Sequence, residues 1–176
     1  EGEAQIKWET SDPAKSASGA LYPGVLDLQA NLSRADGKKV YRYLPLVIDS
    51  LARDYVREAV QGGSASNVKF VVKGDIYDIP ATTPHQGIFK ISADVKDARV
   101  VYVPPSLQPV GDLPWPALNK ISGELLFDGL QLKVKNARAQ LGEDSAIQAT
   151  KVNVVIADLT HTEVKADADL KGSLPA

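Results

Sequence analysis

Apolar and polar residues alternate at every second position along most of this chain, which is the period of a half-buried β-strand. Ala4, Ile6 and Trp8 begin the pattern, and Leu26, Leu28, Ala30 and Leu32 continue it against Asp27, Gln29 and Asn31. Asp36-Gly37 then predicts a tight hairpin into a strand from Lys38 to Tyr43, because Asp-Gly supplies the positive φ that such turns need. Further strands are predicted where Val68, Phe70, Val72 and Ile76, and later Phe89, Ile91, Ala93 and Val95, alternate with polar and charged neighbours. Val100 to Val103 is continuously apolar, which predicts a strand covered on both faces or a new strand after a bulge near Asp97. Ile121, Gly123, Leu125 and Phe127 lead through Asp128-Gly129 into Leu130, Leu132 and Val134, a second hairpin. At Asn136 the phase slips, since Ala137, Ala139 and Leu141 hold odd positions where Leu132 and Val134 hold even ones, and a bulge or kink follows. Gly142 turns the chain, and runs around Val152, Val154, Ile156 and around Val164, Ala166, Ala168, Leu170 give two last strands.

Only Leu44 to Gly63 changes the period. Ile48, Leu51, Ala52, Tyr55, Val56, Ala59 and Val60 form one stripe opposite Asp49, Arg53, Asp54, Arg57 and Glu58, which predicts a helix from about Leu46 to Val60 with its stripe in the core. Pro45 suits its opening turn and Gly62-Gly63 its stop. Pro104, Pro105, Pro109, Pro114 and Pro116 predict an irregular connection carrying Trp115, either as an exposed contact residue or, as is more usual, pinning the loop over a core edge. Eight to ten strands in sequence order, joined mostly by short turns, and one helix make a mainly β antiparallel meander.

Such a sheet has a covering problem. Eight strands about 4.8 Å apart span roughly 40 Å, whereas one helix covers about 10 Å. The remaining apolar face must fold onto itself as a sandwich or barrel, meet a neighbouring module, or meet an apolar ligand.

Composition narrows the chemistry. In 176 residues there is no Cys, which excludes a disulfide framework, a thiolate metal site and a Cys nucleophile. A formal net charge of -2, with Lys and Arg matched by Asp and Glu, argues against a nucleic-acid surface. No apolar run approaches the roughly 18 residues of a membrane span, and without a charged-then-apolar start no signal peptide is expected within these residues. The absence of Met and the start at Glu1 suggest an internal piece of a longer protein. His85 and His161 lack companions at metal-ligand spacing, so no metal site is expected, and the carboxylates alternate with Lys as on a solvated face. Gly-rich phosphate loops and nucleophile elbows are absent, so no catalytic residue, no enzyme activity and no cofactor is expected. Lys38, Lys39, Tyr41, Arg42 and Tyr43 mix basic and aromatic residues, suited to phospholipid headgroups or a nucleic acid if they are not simply an amphipathic strand.

Several motifs then recur in a meaningful order. Tyr43-Leu44-Pro45 enters a short helix closed by Ala59 to Gly63, an alternating strand ends in Gly74-Asp75-Ile76 and a Pro, and Trp115-Pro116 leads to Ile121-Ser122-Gly123-Glu124-Leu125 and Phe127-Asp128-Gly129. This arrangement, over about Leu26 to Ala157, resembles the AsmA-like proteins of Gram-negative bacteria, in particular the YhdP branch. The resemblance implies an antiparallel meander strongly curved into an open, taco-like groove or half-barrel with an apolar interior. It further implies that residues 1–176 are one β-rich module of a longer repeat protein anchored in the inner membrane. Its role would be to conduct phospholipid acyl chains across the periplasm, contributing to outer-membrane lipid homeostasis.

On that reading the groove is lined by Phe70, Val72, Phe89, Ile91, Val95, Leu125, Phe127, Leu132, Val134, Val154 and Ile156. Each buried lipid methylene would contribute about 0.8 kcal/mol, so no specific polar site is needed. Its partners would be lipid acyl chains and neighbouring repeats of the same chain, with membrane contact only through parts outside this module. The alternative from the residues alone is a non-enzymatic structural or protein-interaction β-sandwich with a dry core.

Overall fold

A computed structural model describes residues 1–44, 50–80, 87–142, 147–161 and 163–172. Among these, the alternating stretches form strands β1 (Gly2–Glu9), β2 (Val25–Asp36), β3 (Val60–Asp75), β4 (Gly87–Val100), β5 (Leu118–Asp128), β6 (Gln131–Leu141), β7 (Gln148–Ile156) and β8 (Val164–Lys171). They lie in one antiparallel sheet in sequence order, β1 to β8. The sheet is an open meander, because each strand pairs only with its neighbours in sequence and β1 does not meet β8.

Its residues stay unusually wet. The chain exposes 11721 Å², against roughly 8300 Å² for a compact globule of its mass. That surplus is what a single layer without a second sheet produces. The buried apolar residues are few and mostly small: Ala59, Val68, Val72, Phe89, Ala93, Ala98, Val101 and Ala137.

Bulges shape the layer. Asn67, Asp97, Lys120, Asn136 and Lys151, one in each of β3 to β7, take φ values near 50°, and a register shift accompanies each. A bulge bends its strand and increases its right-handed twist. The phase slip predicted at Asn136 and the bulge predicted near Asp97 are both present, and β4 ends at Val100.

Three local expectations are corrected. Asp36-Gly37 makes no hairpin, and Lys38 to Tyr43 is no strand. Residues Gly37–Tyr43 form a 3₁₀ helix capped by Asp36, whose carboxylate accepts the Lys38 N–H at 3.0 Å. The same short acceptor that favours a turn also caps a helix, and here β2 takes β3, not residues 38–43, as its partner.

Gly62-Gly63 does not stop the helix from outside the sheet. Helix α1 (Ser50–Ala59) runs straight into β3, which begins at Val60. Gly63, at φ +108°, lies so close to β4 that a Cβ there would sit 2.5 Å from the Ala98 Cα. The predicted helix start, with Pro45 and Ile48, falls outside the described residues, as do Pro84 and His85.

The helical stripe is not core throughout. Ala59 is buried, but Leu51 is 77 % exposed and Tyr55 is partly exposed. α1 packs on the 3₁₀ helix and the adjoining end of β3 rather than across the sheet. Its last turn is tied to the chain leaving β4: the Tyr55 hydroxyl donates to the Tyr102 carbonyl at 2.9 Å, and the Val101 N–H donates to the Ala59 carbonyl at 2.8 Å.

Candidate functional site

Pairing registers assign every side chain to a face. Directly opposed residues carry a single apolar row across the whole sheet: Ala4, Ala30, Phe70, Ile91, Phe127, Leu132, Ile156 and Val164, one from each strand. Two partial rows flank it. Ile6, Leu28, Val72 and Phe89 form one, and Ala93, Leu125, Val134, Val154 and Ala166 the other. Val95 faces the same way, opposed to Ala65 and Gly123. All eleven residues expected from the sequence therefore share one face, and none is turned to the other.

Exposure varies systematically along that face. Val72 and Phe89 are buried at 8 %, the other nine expected residues are half-buried, and the outermost Ile6 and Val164 are 68 % and 58 % exposed. Among the described residues, no secondary element other than neighbouring strands packs over the middle of the sheet. Side chains in an uncovered single layer become this buried when they crowd one another, which a sheet curling toward that face achieves. Gly123 allows one close approach, since a Cβ there would lie 2.6 Å from the Ala137 Cβ.

Ile6, Leu28, Ala30, Val68, Ala93 and Val164 belong to the same surface but are absent from the sequence-based lining. The same two-residue alternation marks all of them. What the sequence lacks is the register that joins them to Phe70 and Ile91.

On the opposite face the same strands present charge. Lys73 pairs with Asp27 at 2.9 Å, Lys90 with Asp128 at 3.4 Å, and Lys151 with Asp169 at 2.9 Å. Val71, Ile88, Leu126 and Val155 interrupt this face singly. A shallow depression there is lined by Asn67, Lys69, Asp94, Glu124 and Lys135, and the Asn67 side-chain amide donates to Asp94 at 2.7 Å. Glu124 opposes Lys135 across the strands, so this surface is an alternation of opposite charges. Among the described residues no group of His, Asp and Glu is placed to hold a metal.

The two ends of the strands differ. At the end where β3 leaves the sheet, the buried Ser11 and its neighbour Ser16 each donate a hydroxyl to the Asp75 carboxylate at 2.7 Å, and the Tyr77 N–H donates at 2.9 Å. Burial raises the Asp75 pKa, but these hydrogen bonds outweigh it and hold the carboxyl below its ordinary 3.8. Trp8 donates to the Pro23 carbonyl and stacks on Tyr22, fastening the connection between β1 and β2.

At the other end lie the 3₁₀ helix, α1 and the Pro-rich connection. Pro104 is fully buried, the Ser106 hydroxyl donates to Glu58, and Trp115 meets Tyr102 edge-on at 6.0 Å while remaining 55 % exposed. Trp115 thus contacts the start of its own loop, with half its surface still in solvent. His161 sits at the first end in an exposed turn with Asp158 and Thr160, and that turn has no role on the apolar face.

Comparisons with known proteins identify the family. The YhdP protein family model matches residues 2–176. A curated relative, the intermembrane phospholipid transporter YhdP of Escherichia coli (strain K12), is 31 % identical over 154 residues, covering 84 % of this chain. The matched region is 11 % of that relative, so the chain spans a small part of its length. No solved structure matches. No helix among the described residues is long and apolar enough to cross a membrane. With its single open sheet and a family match along nearly its whole length, the chain belongs to the YhdP protein family.

Proposed function

We propose that this chain is one segment of an apolar β-groove that binds phospholipid acyl chains and conducts them across the periplasm between the inner and outer membranes. In this role it contributes to outer-membrane lipid homeostasis and performs no chemistry. The observation that carries the reading is the uninterrupted apolar row from Ala4 to Val164, with Phe70, Ile91, Phe127, Leu132 and Ile156 half-buried at its centre. A protein core would bury these side chains, and a solvated surface would not align them across eight strands.

An acyl chain suits such a surface because it needs only apolar contact. Its contribution of about 0.8 kcal/mol per methylene accumulates along a strip and depends on no single residue. The free edges of β1 and β8 fit continuation of the sheet by neighbouring segments of the same long chain, whose anchor would lie elsewhere in the protein. The relative's description as a phospholipid transporter supports the same ligand class.

The test is native mass spectrometry and lipid extraction of the purified protein, paired with Ile91→Asp. Phospholipid should co-purify with the parent protein and be lost from the variant while circular dichroism stays β-rich. A lipid-free parent, or a variant that retains lipid undiminished, would count against the proposal.

A further inference from the structure

The run Lys38-Lys39-Val40-Tyr41-Arg42-Tyr43 takes no part in the apolar face, and its conformation leaves it available for something else. As a strand it would bury one side. As a 3₁₀ helix it buries none of its residues, and Tyr43 is 59 % exposed.

Charge on this short element is one-signed. Gly37–Tyr43 carries three cations and no carboxylate, in a chain whose net charge is -2. The nearest acid in sequence, Asp36, is occupied as the cap on the Lys38 N–H and lies 3.8 Å from the Lys39 amine. Arg42 is held in place without an acid: its Nε donates to the Tyr41 hydroxyl at 3.2 Å, and its guanidinium lies 5.7 Å from the centre of that ring. Among the described residues neither Lys38, Arg42 nor Arg53 has a carboxylate partner.

A second observation comes from α1, which packs against the 3₁₀ helix. Arg53 Nε is buried with no hydrogen-bond acceptor. Buried donors are normally satisfied, so on the helix that packs against this cationic element Arg53 Nε is a donor that an anion could engage. Tyr41 and Tyr43 add rings with an apolar body and a polar tip, the residue type that suits a boundary between acyl chain and headgroup. At the opposite end of β3, by contrast, the carboxylate of Asp75 is saturated by protein donors.

We propose that Gly37–Tyr43, with Arg53 of α1, contacts the phosphate of a phospholipid whose acyl chains lie on the apolar face. Lys38, Lys39 and Arg42 supply the charge, and the lipid is thereby oriented with its headgroup at this end of the strands. The inference rests on the function proposed above and adds the headgroup position to it. Because the acyl chains tether the phosphate, its effective concentration at the site is on the order of millimolar, so exposed and individually weak ion pairs suffice.

The experiment uses the full-length protein loaded with two photoreactive phospholipids, one with a diazirine at the acyl terminus and one with it on the headgroup, followed by peptide mapping. Headgroup label should concentrate on the peptide spanning Gly37–Tyr43, and acyl label on β3 to β6. The triple variant Lys38→Gln, Lys39→Gln, Arg42→Gln should lose headgroup label by about tenfold, the product of three modest ion pairs. Acyl label should stay within about twofold, since the apolar surface is untouched. Excess inorganic phosphate should leave the tethered headgroup in place; if it erases headgroup label while acyl label persists, the site is one for free phosphate and the assignment to lipid is overturned. Headgroup label that falls on the connection containing Ser11 and Tyr22, or that survives the triple variant, also overturns this inference. Loss of acyl label from β3 to β6 in the parent protein would instead overturn the underlying function.

Discussion

Lys90 and Ile91 are adjacent on β4, yet they belong to two different surfaces. Lys90 pairs with Asp128 at 3.4 Å in solvent, while Ile91 lies between Phe70 and Phe127 in the row that crosses the sheet. One backbone thus presents a charge-paired face and an apolar face, and among the described residues neither has a second layer above it. The polar face needs no cover, because its cross-strand ion pairs each contribute only about 0.2–1 kcal/mol and keep it in water. The apolar face is half-buried by its own neighbouring side chains, with no second layer of described residues over it. The difference shows how one layer with so small a core keeps an apolar surface and a charged surface apart.

Forcing β3 and β4 apart at Gly63 should have the largest effect. Gly63→Val places a branched side chain at φ +108°, with its Cβ 2.5 Å from the Ala98 Cα of β4. A loss of about 3 kcal/mol or more is expected, since strain and overpacking both contribute. Urea denaturation should show a strongly lowered midpoint; a midpoint like that of the parent would remove this close approach from the account.

Next comes the apolar face itself. Ile91→Asp should cost about 1–2 kcal/mol, because the new carboxylate is only half-buried and can reach water. Thermal melting should therefore still show a cooperative transition in a chain that no longer carries lipid. Outright unfolding would indicate a sealed protein core around position 91.

The polar face should respond less than the apolar one. Lys90→Ala is expected to change stability by about 0.5 kcal/mol, with the difference shrinking in high salt. A loss comparable to that of Ile91→Asp would erase the contrast between the faces.

The smallest effect belongs to the end of the sheet. Asp75 is held below its ordinary pKa of 3.8, so its ionised form is favoured in the folded state. The stability it contributes is present above the unfolded value and is lost as pH falls through the folded one, below about pH 4. Asp75→Asn should remove that acid-side slope while leaving the slope near neutral pH unchanged, measured by melting across pH. An unchanged acid slope would show that the two serine hydroxyls do not stabilise the carboxylate.

Much of this architecture is legible in the chain because alternation and register are two views of the same pleat. Phe89, Ile91, Ala93 and Val95 mark a strand and one face of it, and the odd-to-even slip at Asn136 marks a bulge. The bulge at Asn67 leaves no such trace, since Ser64 and Ser66 before it are polar and cannot reveal the phase. Asp36-Gly37 and Gly62-Gly63 mislead for a related reason: each pair suits more than one local structure, and long-range pairing of β2 with β3 and β3 with β4 decides between them. Curvature is also hidden, because it depends on how five bulges add up across the sheet. The basic run at Lys38 to Tyr43 was visible as composition, but only its unburied 3₁₀ conformation separates it from an ordinary amphipathic strand.

The most direct test of the central claim uses a benzophenone side chain placed in turn at positions 90 and 91 of the full-length protein, irradiated in cells with labelled phospholipid. Crosslinking to phospholipid from position 91 and not from its neighbour 90 is the result this two-faced sheet predicts. Equal labelling from both positions, or none from 91, would contradict it.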